Sequence, residues 1–239
     1  MGQFAIGQSV PRTEDPRLLR GEGRYVDDIR LQNETHAYIL RSPHGHARIT
    51  RFDCSAARKM PGVLAVLTGE DWEATGYGQH PPGHPRTRRD GSPLYYPPRP
   101  ALVTGTVRVV GDPIAMVVAE TYFQARDAAE AIEIDYEALP VNVIASEANR
   151  PGAAPLRPDC PDNESFFYEA GDKDAVEAAI ASAAHVTHYH TVISRITANT
   201  MEPRVGIGDY DSAEDRYTLY GGTQRQFQLR RQLAEDIFG

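Results

Sequence analysis

Apolar and polar positions alternate from the first well-patterned segment onward. Ala37–Arg41 and Arg48–Phe52 follow period two and predict short strands joined by the polar turn Ser42–Gly45. Ser55–Met60 has helical spacing and is stopped by Pro61-Gly62. Val63–Leu67 (VLAVL) is a continuous apolar run, which predicts a strand buried on both faces. After the turn Gly111-Asp112-Pro113, the pattern predicts a strand over Ile114–Glu120, a helix over Thr121–Ala131 and a strand over Ile132–Tyr136. The break Leu139-Pro140 follows, and the strand–helix–strand order predicts a compact α/β unit with a right-handed crossover.

Asp172–Ala184 reads as a helix that starts after Gly171, and His185–Ser194 alternates as a strand. Val205–Tyr210 and Arg216–Tyr220 read as a meander. Arg225–Phe238 reads as a closing helix with Leu229, Leu233 and Ile237 on one face. Two stretches have neither period. Residues 73–105 are rich in Pro, Gly and Arg and predict a long loop, a kind that in compact domains is usually functional or disordered. Residues 149–163 carry four prolines and predict a linker or domain boundary.

Composition narrows the class. The chain has 239 residues, 41% of them hydrophobic and 24% charged, which at about 150 residues per domain predicts one or two globular domains. No run approaches the roughly 20 apolar residues of a membrane-spanning helix. MGQFAIGQSVPRTEDPR lacks a charged segment followed by an apolar run, so no secretory leader is expected. Cys54 and Cys160 are too few for a thiolate-held iron–sulfur cluster or a Cys-rich zinc site; a single disulfide between them stays open, but without a secretory leader the expected location is a reducing compartment, the cytoplasm. A net charge of -8 without a basic stripe argues against nucleic acid or anionic lipid as partner.

Several side chains invite a chemical reading. His188 and His190 share one face of the predicted strand and could serve a metal, but His185 points to the other face and no carboxylate stands at a matching spacing. A polar sheet face is the simpler reading. His44 and His46 flank Gly45 in a turn, and His80 and His84 sit in the Pro-rich loop. Turn geometry and backbone hydrogen bonds explain both pairs more simply than acid–base work does. No GxSxG, GxGxxG, phosphate-loop or HExxH motif occurs. Gly221-Gly222-Thr223-Gln224 lies between a predicted strand and a predicted helix. Its glycines allow close backbone approach, its Gln amide offers both donor and acceptor, and helix N-terminal amides after it favour anionic or oxo ligands.

Seven segments occur in a recognisable order: GEGRYVDDI (Gly21–Ile29), RSPHGHARI (Arg41–Ile49), PGVLAVLTGED (Pro61–Asp71), VRVVGDPIAMVVAE (Val107–Glu120), QARDAAEAIEIDYEALP (Gln124–Pro140), MEPR (Met201–Arg204) and GGTQ (Gly221–Gln224). In that order they resemble the large subunit of the xanthine dehydrogenase / aldehyde oxidase / aerobic carbon monoxide dehydrogenase family, the molybdenum hydroxylases. The resemblance implies an α/β (α+β) fold. It implies an N-terminal extension over 1–17, a hammerhead-type α/β domain over 18–140, a linker over 141–164 and the incomplete start of a molybdopterin-binding α+β domain over 165–239.

It also implies a molybdenum-molybdopterin cofactor. Gln224 would approach an oxo ligand of the metal, with Gly222 beside it in the cofactor-binding turn. The family's glycine-rich cofactor motif and its base glutamate lie beyond Gly239, so no catalytic residue is expected in this chain, and Glu202 matches a structural part of the pattern. The implied partners are a C-terminal molybdopterin-binding chain or segment, an FAD-binding subunit and a [2Fe–2S] subunit. The implied reaction oxidises an aldehyde, N-heterocycle or similar small substrate with water as oxygen source. The alternative is a non-catalytic assembly module that retains the hammerhead scaffold.

Overall fold

The computed structural model describes residue 7 and residues 10–239, apart from 81 and 195. Of the expected extension 1–17, residues 1–6, 8 and 9 thus lie outside the described residues. In chain order the elements are α1 (Asp15–Leu19), β1 (His36–Arg41), β2 (Ala47–Asp53), β3 (Val63–Thr68), α2 (Gly69–Thr75), β4 (Thr106–Val107), β5 (Pro113–Ala119), α3 (Tyr122–Glu130) and β6 (Glu133–Ala138). They continue with α4 (Lys173–Ser182), β7 (Gly206–Asp211), β8 (Arg216–Gly221) and α5 (Gln226–Arg231), followed by a π-helical stretch Gln232–Ile237. The fold is mixed α/β, and the chain divides into two compact units, Met1–Asn33 with Thr191–Gln226 and Glu34–His190 with Phe227–Gly239.

The larger unit holds two antiparallel three-stranded sheets, in the orders β1-β5-β3 and β4-β2-β6. β5 is central in the first, with Val117 opposite both Tyr38 and Val66. α3 lays Ala125, Ala128 and Ala129 onto this sheet against Ala115, Val117 and Ala119, all of them fully or almost fully buried. Methyl side chains on both surfaces let the helix backbone approach the sheet closely, and the buried apolar area stabilises the contact. A second cluster of Ala47, Val107 and Ile114 packs under Ile49, Phe52 and Tyr136. Thr121 caps α3 by accepting the Gln124 N–H at 3.3 Å. A reciprocal pair caps α2: Thr68 Oγ1 accepts the Asp71 N–H at 3.3 Å, and Asp71 Oδ2 accepts the Thr68 N–H at 2.8 Å.

Five local expectations need correction. β3 is an edge strand with Leu64 56% and Leu67 38% exposed, so the apolar run is covered on one face only. Continuous apolarity told its hydrophobicity but not its place in the sheet; the strand enclosed by neighbours is β5. β5 and β6 belong to different sheets, so α3 carries the chain from one sheet to the other and no parallel crossover forms. Ser55–Met60 contracts to the 3-10 turn Ala57–Lys59. His185–Ser194 forms no strand, because no neighbouring strand among the described residues pairs with it. The closing helix is α-helical only to Arg231, and Leu229, Leu233 and Ile237 are half-buried.

The two proline-rich stretches hold each other in place. Arg88 pairs with Asp162, and Arg89 Nε meets Glu164 Oε2 at 3.0 Å. Tyr95 N–H donates to the Ser165 carbonyl at 2.8 Å, and Phe167 N–H donates to the Thr87 carbonyl at 2.9 Å. The Arg89 guanidinium stacks 3.8 Å from the Phe167 ring centroid. Gly78 N–H donates to the Ile237 carbonyl at 2.8 Å; a Cβ there would fall 1.9 Å from the Asp236 oxygen, so only glycine fits.

The smaller unit contains the hairpin β7–β8, with Ile207 opposite Tyr220 and Gly208 opposite Leu219. Its stretch 191–201 leaves large apolar residues in solvent, Ile193 at 91% and Ile196 at 88% exposure. No helix among the described residues is long and apolar enough to cross a membrane.

Candidate cofactor-facing site

β8 ends at Gly221, and residues 222–225 turn into α5. The turn is fixed by its own hydrogen bonds: Thr223 N–H donates to the Gly221 carbonyl at 3.1 Å, and Gln226 Nε2 donates to the Thr223 carbonyl at 2.7 Å. Across from it, the MEPR segment is set by Thr200 Oγ1, which donates to the Glu202 carbonyl at 2.6 Å. The Glu202 carboxylate accepts the Val26 N–H at 3.1 Å. This bond ties MEPR to the GEGRYVDDI segment and gives Glu202 a structural task. The space between turn and segment is a cavity of about 710 Å³ lined by Thr200, Glu202, Arg204, Gly222, Thr223, Gln224 and Arg225 among others.

Both candidate residues, Gly222 and Gln224, therefore line the same cavity. A Cβ at Gly222 would stand 3.3 Å from Glu202 Oε2, so glycine lets the turn lie close to that carboxylate. Gln224 is exposed, and its amide bonds to no other described residue. Two arginines, the Thr223 hydroxyl and the Gln224 amide give the rim donors suited to oxo or phosphate groups, while the Thr200 hydroxyl is engaged by the Glu202 carbonyl. α5 has only six residues before the π-helical stretch, so the helix-end contribution expected from the sequence is small. The sequence alone does not single out Thr200 and Arg225 as site residues, and Arg204 enters only as the end of the MEPR segment. MEPR and GGTQ lie about twenty positions apart, and no periodicity reports that they face each other.

The histidines take other places. His185, His188 and His190 are exposed on a segment without strand structure, so no shared strand face orients His188 and His190. His185 Nε2 lies 3.2 Å from Thr187 Oγ1. The His44 ring tilts against Tyr136 at 4.6 Å, and His46 Nδ1 lies 2.7 Å from the Pro140 carbonyl. His80 and His84 line a separate cavity of the larger unit. Both cysteines are free and buried, and burial, reinforced by the hydrogen bond to Asp162, pushes the Cys160 thiol above its ordinary range.

Comparison with known proteins shows the family to which this antiparallel α/β scaffold and glycine turn belong. Residues 20–140 match the family model of the aldehyde oxidase and xanthine dehydrogenase a/b hammerhead domain, and residues 156–239 match that of the molybdopterin cofactor-binding domain. The chain belongs to the aldehyde oxidase and xanthine dehydrogenase family of molybdenum hydroxylases. It is 38% identical over 231 residues to the nicotine 6-hydroxylase large subunit of Paenarthrobacter nicotinovorans, covering 96% of this chain and 27% of that protein. It is 32% identical over 243 residues to the carbon monoxide dehydrogenase large chain of Afipia carboxidovorans, covering 94% of this chain and 28% of that protein. The crystal structure of quinoline 2-oxidoreductase from Pseudomonas putida 86 aligns with a TM-score of 0.82 at 33% identity, over 98% of this chain and 29% of that one. The chain thus spans 27% to 28% of the length of these two curated relatives.

Proposed function

We propose that residues 1–239 act as the N-terminal portion, or a split subunit, of a molybdenum hydroxylase large subunit, with the Gly222–Gln224 turn forming one edge of its cofactor site. The observation that carries this reading is the convergence of Gly222, Gln224 and MEPR on one cavity, within the stretch that matches the molybdopterin cofactor-binding domain. The donor set fits such a group. Arg204, Arg225, Thr223 and the Gln224 amide would hold its anionic periphery, and the one carboxylate in the cavity, Glu202, is committed to Val26.

When bound, the cofactor supplies two-electron redox chemistry for oxidising a small aldehyde, N-heterocycle or similar substrate with water as oxygen source. The chain's own share is positional. Gln224 presents an amide donor at the cofactor face, Gly222 keeps the turn free of a side chain there, and Glu202 ties the MEPR segment to Val26. The base that removes a proton is assigned to a glutamate in the C-terminal portion, so this chain alone should not turn over. Electrons would leave through [2Fe–2S] and FAD partner subunits in the cytoplasm. The exposed apolar residues Val192, Ile193, Ile196 and Met201 support docking of the C-terminal portion at this stretch.

The test is Gln224→Ala in the assembled complex. It should lower kcat about tenfold, a loss of about 1.4 kcal/mol in transition-state stabilisation, with gel-filtration volume and molybdenum content unchanged. Loss of the complex would overturn the assigned role.

A further inference from the structure

The proline-rich loop and the 141–166 stretch enclose a cavity of about 750 Å³ in the larger unit. That volume falls in the range of about 300–1,000 Å³ typical of small-molecule sites. Four guanidinium groups line it, those of Arg86, Arg99, Arg108 and Arg157, together with the Tyr95 and Phe166 rings, and no described lining residue is Asp or Glu. We infer that this cavity is a binding site for a small organic oxyanion, a carboxylate or phosphate head on a ring-sized apolar body. The inference does not rest on the molybdenum reading, since none of these residues borders the Gln224 cavity.

Arg108 carries the argument. Its Nη1 donates to the Thr106 carbonyl at 3.2 Å, while its Nε–H is buried and has no partner among the described residues. That Nε–H is closed off from the cavity, so an oxyanion held there would be met by the remaining N–H groups of the guanidinium in charge-assisted hydrogen bonds. The two carboxylates that act on Arg108 from a distance are occupied. Asp112 accepts the backbone N–H groups of Arg108 and Val109 at 2.6 and 3.1 Å, and Asp159 accepts the Tyr95 hydroxyl at 2.9 Å. Burial pulls the Arg108 guanidinium below its ordinary pKa, and the like charge of Arg157 adds to that pull. Arg157 itself is held in place by donating to the Pro98 carbonyl at 3.2 Å. The cluster is thus positive with no carboxylate among its described lining residues, and its rings offer a stacking surface for the ligand body.

Isothermal titration calorimetry of the purified chain with benzoate, phenyl phosphate and inorganic phosphate tests this inference. One of the two ring-bearing anions should bind saturably and at least tenfold more tightly than inorganic phosphate, and the tighter one identifies the head group. Arg108→Ala should weaken that binding tenfold or more. Arg108→Lys, which keeps the charge but loses the planar fork of guanidinium donors, should weaken it severalfold, and Arg230→Ala should leave it unchanged. Circular dichroism checks folding, and Arg157→Gln replaces any Arg108 variant that unfolds. Absence of saturable binding, equal binding of inorganic phosphate, or indifference to the Arg108 and Arg157 variants would each overturn the inference.

Discussion

In the hammerhead region Val107, Ile114 and Val117 are almost wholly enclosed, whereas Ile193 and Ile196 in the stretch after α4 stand 91% and 88% exposed. Both regions are built from β-branched residues in short apolar runs. What separates them is the supply of neighbours. β5 has a strand on each side and α3 above it. The stretch 191–201 has no paired strand among the described residues, and α4 buries none of its side chains. Apolar character creates the demand for burial, but topology decides whether it is met. On our reading the C-terminal portion of the large subunit meets it for the second region.

The largest effect should come from the enclosed region. Ile114→Ala removes a fully buried side chain from the second core cluster and should lower stability by about 2–5 kcal/mol, read by urea unfolding. Ile193→Ala should change the stability of the chain alone by less than about 0.5 kcal/mol, because no burial is lost. The same variant should weaken association with the C-terminal portion, and a large loss of stability in the chain alone would break the comparison.

Next comes the cap of α2. Thr68→Ala should destabilise by about 1 kcal/mol. Hydrogen bonds from Thr68 hold the Asp71 carboxyl below its ordinary pKa. A depressed carboxylate contributes stability above its unfolded pKa and loses it as pH falls through the folded value. Thr68→Ala should therefore move the Asp71 titration up toward the ordinary carboxylate range by NMR and reduce the stability lost on acidification. The weakest of the polar contacts is the exposed pair Arg48–Glu137 across β2 and β6, 2.7 Å apart; Glu137→Gln should cost no more than about 1 kcal/mol, with the effect fading in salt.

Much of the scaffold was legible from local signals. Period-two alternation located β1 and β2, and the Thr121 start and alanine-rich stretch located α3. Pairing was not legible, because a strand's hydrophobicity does not name its neighbours. VLAVL looked doubly buried yet lies at an edge, and β5 and β6 looked like one unit yet serve two sheets. The least legible parts were the proline-rich loop and linker, which lack any period because they are fixed by long-range contacts such as Arg89–Glu164 and Tyr95–Ser165. At the candidate site, GGTQ stood out through its glycines. The arginines beside it did not, since their meeting depends on a fold that no short window encodes.

The most direct test of the central claim is the molybdenum content of this chain, tagged and gently purified from its own host, measured by elemental mass spectrometry. Near-stoichiometric molybdenum, carried in with the C-terminal portion and partner subunits, is the expected result. A well-folded preparation without molybdenum would contradict it and leave the hammerhead scaffold as a non-catalytic module.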